Sequence, residues 1–265
     1  MSNALQNITG NLYDYPQYYE LAFGTDWKPE YDFLLDCFAK YADVTVRSLF
    51  EPACGTGRLL HRFGRVGYQV CGNDLNPKMV TYCNARLDRL GLNQSVSVGD
   101  MSAFQLNDPA DAAFNMISSF QHLATQDASL AHFNCVSKSL QLGGIYVLGM
   151  LLSPTEADPT DEEHWSVRRG HLSIDASMRC LQRNLHQRYE IFSVECQVTS
   201  PQKTFCLQSE VRLRTYQVHQ ILELLDLVPD FELVGLYDFS YDIEKEISLD
   251  RRTEDVVFVL RKVND

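Results

Sequence analysis

The chain has 265 residues, enough for one large α/β domain with a small embedded subdomain, and its 45% hydrophobic and 22% charged content is ordinary for a globular protein. Its formal charge is −12, from 35 acidic and 23 basic residues. That balance argues against a nucleic-acid partner, because Arg168-Arg169 and Arg251-Arg252 are isolated pairs rather than a cationic patch.

The first forty residues carry an aromatic cluster, Tyr13-Asp14-Tyr15-Pro16, followed by helical stretches over 17–23 and 28–41. In the second, Tyr31, Leu34, Leu35 and Phe38 make one apolar face. From residue 46 strands and helices alternate. Strands are predicted over 46–50, 68–71, 96–98, 112–118 and 144–152, with helices over 58–66, 77–90 and 128–140. Asn76 is placed to cap the second of these helices, with Pro77 at its first position. This alternation predicts a doubly wound parallel sheet. Residues 153–163 are acidic and polar, a loop. Period-two alternation over 164–214 predicts three or four half-exposed antiparallel strands. A helix over 217–227 and strands over 231–236 and 256–260 close the chain.

The domain expectation is an N-terminal helical lid over 1–43, an α/β domain over 44–152 and 215–265, and an inserted antiparallel β cap over 153–214. No apolar run approaches the ~18–20 residues that span a bilayer. MSNALQNITG lacks a basic segment followed by an apolar stretch, so no secretory signal is expected. The eight cysteines show no C-x-x-C spacing and no Cys/His set at zinc-ligand intervals. Buried thiols in the cytoplasm, and no metal, are expected.

Chemistry concentrates at Leu49–Leu60, LFEPACGTGRLL. A strand running into a Gly-rich turn and then a helix aims backbone N–H groups at a ligand. No Gly-Lys-Ser/Thr follows, so it is not a phosphate loop. Gly55-Thr56-Gly57 also lacks the third glycine of a nicotinamide site. Asp74 closes the second strand seventeen residues after Gly57, where a carboxylate can accept from both ribose hydroxyls; a plain turn Asp is the alternative. Asp100-Met101 ends the third strand and Ser118-Ser119-Phe120-Gln121-His122 follows the fourth.

Glu51, Gly55 and Gly57 match motif I of the class I S-adenosylmethionine-dependent methyltransferases, which this chain therefore resembles, with Ala53 standing where a glycine usually falls. The resemblance covers residues 44–152 in motif order and implies a seven-stranded Rossmann-like sheet. It implies S-adenosylmethionine as cofactor, and it extends the cofactor set to Arg58, Leu75, Met79, Ser118 and Met101, with Asp100 on the adenine. Ser-Ser-x-x-His-Leu is similar to amino-sugar N-methyltransferases within the family. It makes His122 a catalytic base; a capping or cofactor-packing histidine is the alternative reading. The tyrosine cluster resembles the lid helix of small-molecule methyltransferases, and Tyr19 is the residue placed over the methionine end; an amphipathic helix packed on the core is the alternative. Trp165 and Arg168 are candidate acceptor contacts or part of a homodimer surface on the cap. The expected activity is methyl transfer to N or O of a small molecule. A non-catalytic S-adenosylmethionine-binding module and a protein methyltransferase are the alternatives.

Overall fold

A computed structural model describes residues 6–264. The N-terminal segment holds β1 (Gln6–Thr9), a 3-10 turn at Leu12–Asp14, α1 (Pro16–Phe23) and α2 (Lys28–Tyr41). The next stretch is β2 (Ser48–Glu51), α3 (Leu60–Arg65), β3 (Gln69–Asp74), α4 (Pro77–Asp88) and β4 (Val96–Val98). It continues as β5 (Ala110–Asn115), a 3-10 turn at Ser119–His122, α5 (Gln126–Lys138) and β6 (Leu140–Leu151). Four strands follow, β7 (Glu162–Arg169), β8 (Leu172–Asn184), β9 (Tyr189–Thr199) and β10 (Thr204–Arg214). The chain closes with α6 (Val218–Asp226), β11 (Phe231–Tyr237) and β12 (Asp255–Lys262).

Two sheets result. The seven-stranded sheet has the order β11-β12-β6-β5-β2-β3-β4. The five strands from β6 to β4 run parallel, and β12 is antiparallel to both β6 and β11. The order reverses at β2, whose neighbours are β3 and β5, so the crevice for a ligand opens at the C-terminal ends of these strands. Helices cover both faces. Phe33, Leu34, Cys37 and Phe38 of α2 lie in one core with Phe63 of α3 and Cys83 and Leu87 of α4. Phe133 and Val136 of α5 share the other with Ile221 and Leu224 of α6. Each fully buried side chain of this size contributes roughly 1.5–3 kcal/mol, an apolar gain that offsets the cost of ordering the chain.

The second sheet has the order β1-β10-β9-β8-β7. Period-two alternation puts Ile174, Ala176, Val194, Cys196 and Leu207 on its inner face, against Tyr18, Leu21 and Ala22 of α1. The N-terminal segment is not wholly helical: β1 joins this sheet parallel to β10, with Ile8 opposite Leu207. Its polar sequence, Gln-Asn-Ile-Thr, carries little local strand signal; the partner lies about two hundred residues away in the chain.

Three expected boundaries move for backbone reasons. Ala53, Gly55 and Gly57 all have positive φ, so the turn continues past residue 57 and α3 begins at Leu60 rather than Arg58. The strand expected over 112–118 ends at Asn115, because Ile117 (φ +53°) and Ser118 (φ +60°) take the chain out of the sheet. β7 begins at Glu162, inside the stretch expected to be a loop, because Glu162 and Glu163 pair with Arg179 and Met178 of β8.

Two buried ion pairs fasten the N-terminal helices to the crevice. Glu20 of α1 pairs with Arg86 of α4 and accepts a hydrogen bond from Thr56 Oγ1. Glu30 of α2 pairs with Arg58. Each carboxylate is about as buried as the core, so removing either partner would strand a charge.

Candidate active site

The turn from Glu51 to Gly57 is built against the end of β3. Asn73 Oδ1 accepts from Ala53 N (3.2 Å), Asn73 O accepts from Cys54 N (2.9 Å), and Asp74 Oδ2 accepts from Gly55 N (2.8 Å). Asp74 Oδ1 accepts from Asn76 N (2.8 Å). Both carboxylate oxygens thus hold backbone while keeping lone pairs for a ligand. Burial raises the Asp74 pKa against these two N–H bonds, which lower it. Asn76 caps α4 by accepting from Lys78 N, and its Nδ2 donates to Asp14 Oδ1 (2.9 Å), tying the N-terminal segment to the same corner.

Ala53 has φ +51°, the left-handed region that a side chain enters at a cost of roughly 1–2 kcal/mol. Ala53→Gly removes that strain and gives back part of it as unfolded-chain entropy. A net stabilisation of about 0.5–1 kcal/mol is expected in urea unfolding. An unchanged or lowered midpoint would show that the turn carries no strain at this residue.

A cavity of about 480 Å³ opens above this turn. Tyr19, Ala53, Gly55, Asp74, Leu75, Asp100, Met101 and His122, all sequence candidates, line it. Tyr19 Cε1 lies 3.9 Å from where a Gly55 Cβ would stand, so the ring covers the turn. Leu75 is 71% exposed at the cavity wall, an apolar side chain open to the cavity. A smaller adjoining hollow is lined by Glu51, Arg58, Tyr19 and Ile117. There Glu51 Oε2 is buried without a hydrogen-bond partner, and burial raises its pKa well above the usual carboxylate range.

The other candidates lie elsewhere. Met79 is fully buried in α4 and does not line the cavity. Gly57 packs on α4, where an added Cβ would come within 2.3 Å of Cys83 Sγ, so its small size serves packing. Ser118 does not line the cavity, and its Oγ is buried and unpartnered. Trp165 and Arg168 line neither this cavity nor its neighbours. Trp165 Nε1 donates to Ala22 O (2.8 Å) and its ring meets Phe23, so it clamps the end of α1, while Arg168 Nε bonds Gly170 O at a hairpin tip. Alternation sets these orientations, and pairing alone reveals which face each takes.

His122 ends the 3-10 turn after β5. Buried Asn115 positions that turn: its Nδ2 donates to Pro52 O (2.7 Å) and its Oδ1 accepts from Phe120 N (3.1 Å). Gln121 also accepts from Leu151 N and donates to Arg214 O. The His122 ring opens into the cavity, yet the surrounding protein is close enough that burial lowers its pKa. Its Nε2 lies 3.0 Å from Tyr13 Oη, and burial raises the Tyr13 pKa far enough that the phenol keeps its proton.

A second, more open cavity of about 650 Å³ lies on the far side of this pair, against β9 and β10. It shares Asn11, Tyr13 and His122 with the first. Sequence reading missed this cavity, and with it Asn11, Tyr13 as a partner of His122, and the positioning groups Asn115, Glu20 and His132. The last is buried in α5: Nδ1–H donates to Met101 O (2.9 Å), which leaves Nε2 to accept from Tyr146 Oη (2.8 Å). A helix histidine three turns from any motif carries no local signal.

Burial brings the His132 pKa down to about 4, and also that of His61, whose Nδ1 donates to Gly57 O. Unfolded histidines bind protons near pH 6.5. The stability contributed by keeping these two neutral is therefore complete above that pH and lost as pH falls from 6.5 through about 4. The melting temperature is expected to fall by several degrees between pH 7 and pH 4.5, and less steeply in His61→Gln. Equal slopes in the two proteins would remove His61 from this account.

Crevice, turn and acidic strand ends stand where a doubly wound sheet binds its ligand. In comparison with known proteins, residues 50–144 match the family model described as a methyltransferase domain. That match runs from β2 into β6, the part of the sheet that bears the turn and the acidic strand ends. Among curated proteins, it is 29% identical over 138 residues to the dTDP-3-amino-3,4,6-trideoxy-alpha-D-glucopyranose N,N-dimethyltransferase of Streptomyces venezuelae. That match spans 51% of this chain and 56% of the relative, just over half its length. DesVI of Streptomyces venezuelae shares the fold at a TM-score of 0.77 and 18% identity, covering 96% of this chain and 99% of that one. So does CalS10, an amino pentose methyltransferase from Micromonospora echinaspora solved with S-adenosylmethionine bound, at a TM-score of 0.70 and 19% identity, covering 98% and 100%. Among the described residues no helix is long and apolar enough to cross a membrane.

Proposed function

We propose that this protein transfers the methyl group of S-adenosylmethionine to a nitrogen of a small polar acceptor. The observation that carries the reading is the meeting of two cavities at Tyr13 and His122, with the cofactor candidates on one side only. The choice of nitrogen rests on the N,N-dimethyltransferase relative.

The residues present fit the cofactor. Asp74 accepts from the ribose, Asp100 and the Met101 backbone take the adenine, and Leu75 packs on it. Glu51, whose buried Oε2 lacks a partner, would receive the ammonium of the methionine end, with Arg58, which lines the same hollow, facing its carboxylate. The bound cofactor supplies a methyl group on a sulfonium, which leaves by in-line displacement. What this chain adds is alignment, exclusion of water and a proton acceptor. His122, neutral because burial lowers its pKa, takes the proton that the acceptor nitrogen gives up on forming its bond to carbon. Tyr13 holds the ring through Nε2. The acceptor binds against β9 and β10, in place of the Trp165 and Arg168 contacts expected from sequence.

All eight cysteines are free thiols, which supports a reducing compartment such as the cytoplasm. The long edge strand β7 leaves a sheet edge on which a second copy can pair, so a homodimer belongs to the reading. Light scattering tests it.

Calorimetric titration with S-adenosylmethionine, NAD and NADP tests the cofactor. Micromolar binding of S-adenosylmethionine alone is expected, with S-adenosylhomocysteine released when amine acceptors are added. Preference for a dinucleotide would overturn the proposal.

A further inference from the structure

The loop after β4, assigned above to the adenine, is held from behind. Its consecutive carbonyls all turn into the protein. Asp100 O accepts from Ala103 N (3.0 Å), Met101 O from His132 Nδ1 (2.9 Å) and Ser102 O from Cys135 Sγ (3.5 Å). Asp100 Oδ1 accepts from both Ser102 N (2.8 Å) and Ser102 Oγ (2.7 Å). Among the described residues, Asp100 Oδ2 and the Met101 N–H make no hydrogen bond, and both residues line the cofactor cavity. An acceptor and a donor are thus left side by side for a ligand.

Of the two anchors that α5 supplies, His132 is the stronger, since a thiol is a weak donor. The ring is fully buried and its partners fix its tautomer. A carbonyl can only accept, so Nδ1 carries the proton, and Nε2 accepts from Tyr146 Oη (2.8 Å) on β6. The same ring meets Phe120 edge-on, with centroids 5.4 Å apart. Phe120 is buried in the 3-10 turn that ends at His122. One side chain therefore bears on the loop and on the turn, two elements that line the same cavity.

We infer that His132 is a positioning residue for base recognition: its bond to Met101 O aims the Asp100 carboxylate and the Met101 N–H, and so sets the preference for adenine over hypoxanthine. This rests on the proposed seat of the adenine at Asp100 and Met101. Adenine offers an amine to the carboxylate and an unprotonated ring nitrogen to the N–H. Hypoxanthine offers a carbonyl oxygen to the carboxylate and an N–H to the N–H, so both contacts are mismatched. A loop that cannot move leaves those groups unpaired and rejects the wrong base. A loop freed from its anchor shifts to relieve the mismatch, and the preference shrinks.

The test is calorimetric titration of the full chain with S-adenosylhomocysteine and with S-inosylhomocysteine, which differ only in the base. The wild type is expected to prefer the adenine compound by about a hundredfold or more. His132→Leu removes the donor to Met101 O, and His132→Gln moves its amide to the Nε2 position; each should cut the preference about tenfold or more. His132→Asn keeps an amide N–H where Nδ1 stands and should hold the preference within about threefold. Tyr146→Phe deletes the bond at Nε2 but leaves Nδ1 in place. Its urea midpoint should fall while the preference stays, which separates lost stability from lost aim. Should His132→Leu fail to fold, the contrast between the Gln and Asn variants decides. Full preference in His132→Leu or His132→Gln, or a loss in Tyr146→Phe as large as theirs, would overturn the inference. A wild type that binds both compounds equally would overturn the adenine seat as well, and one that binds neither would overturn the methyltransferase reading itself.

Discussion

Asp74→Ala is expected to weaken S-adenosylmethionine binding by about a hundredfold or more, the largest single loss at the cofactor site. Two contributions combine. Hydrogen bonds from ribose hydroxyls to an ionised acceptor contribute about 1.5–3 kcal/mol each, and losing about 3 kcal/mol is roughly a hundredfold in Kd. The same substitution removes the acceptor of Gly55 N and Asn76 N, so the turn loses a brace on its ligand side. Asp74→Asn keeps an oxygen for one of those bonds and should lose about tenfold. Calorimetry on folded variants separates the cases, and an affinity within threefold of wild type for the alanine variant would remove Asp74 from the site.

His122→Asn is expected to lower kcat by about a hundredfold while leaving cofactor affinity intact, as removal of a general base does. The pH profile carries the sign. A base works only when deprotonated, and burial lowers the His122 pKa below that of free imidazole. Turnover by the wild type should therefore be level across neutral pH. It should fall only as acidity passes below the ordinary imidazole range. In His122→Asn that acid limb should disappear. Tyr13→Phe removes the hydroxyl 3.0 Å from Nε2 and should reduce kcat about tenfold, with the limb kept. Unchanged kcat in His122→Asn would make the residue a packing histidine, and the methyl transfer would then rest on alignment alone.

How the two residues come to meet shows why half of the site escapes a linear reading. His122 follows a strand end in a recognisable motif, but its position depends on Asn115, which reaches both Pro52 O and Phe120 N, and on two consecutive residues with positive φ. Ile117 and Ser118 have no compositional mark of such a conformation. Tyr13 reaches His122 because Asn11, Asp14 and Asn76 lock the first turn to the corner of α4. The Asn76–Asp14 bond crosses 62 residues of chain.

Some features were legible because they are local. A strand, a turn with glycines at two positive-φ positions and a helix are written within Leu49–Leu60, and the backbone permits few other shapes for that order of residues. Asp74 and Asp100 close strands, so their place at the crevice follows from the parallel topology alone. Period-two alternation likewise marked the inserted strands. Only the tertiary structure decided what lies on the outer face of those strands. Sheet register puts Glu195 and Glu210 on the cavity wall, leaves Trp165 against Ala22, and adds β1 to an edge that no nearby residue predicts. Register is a pairing between distant segments, and a one-residue slip would exchange every side chain between faces, so no stretch of chain determines it by itself.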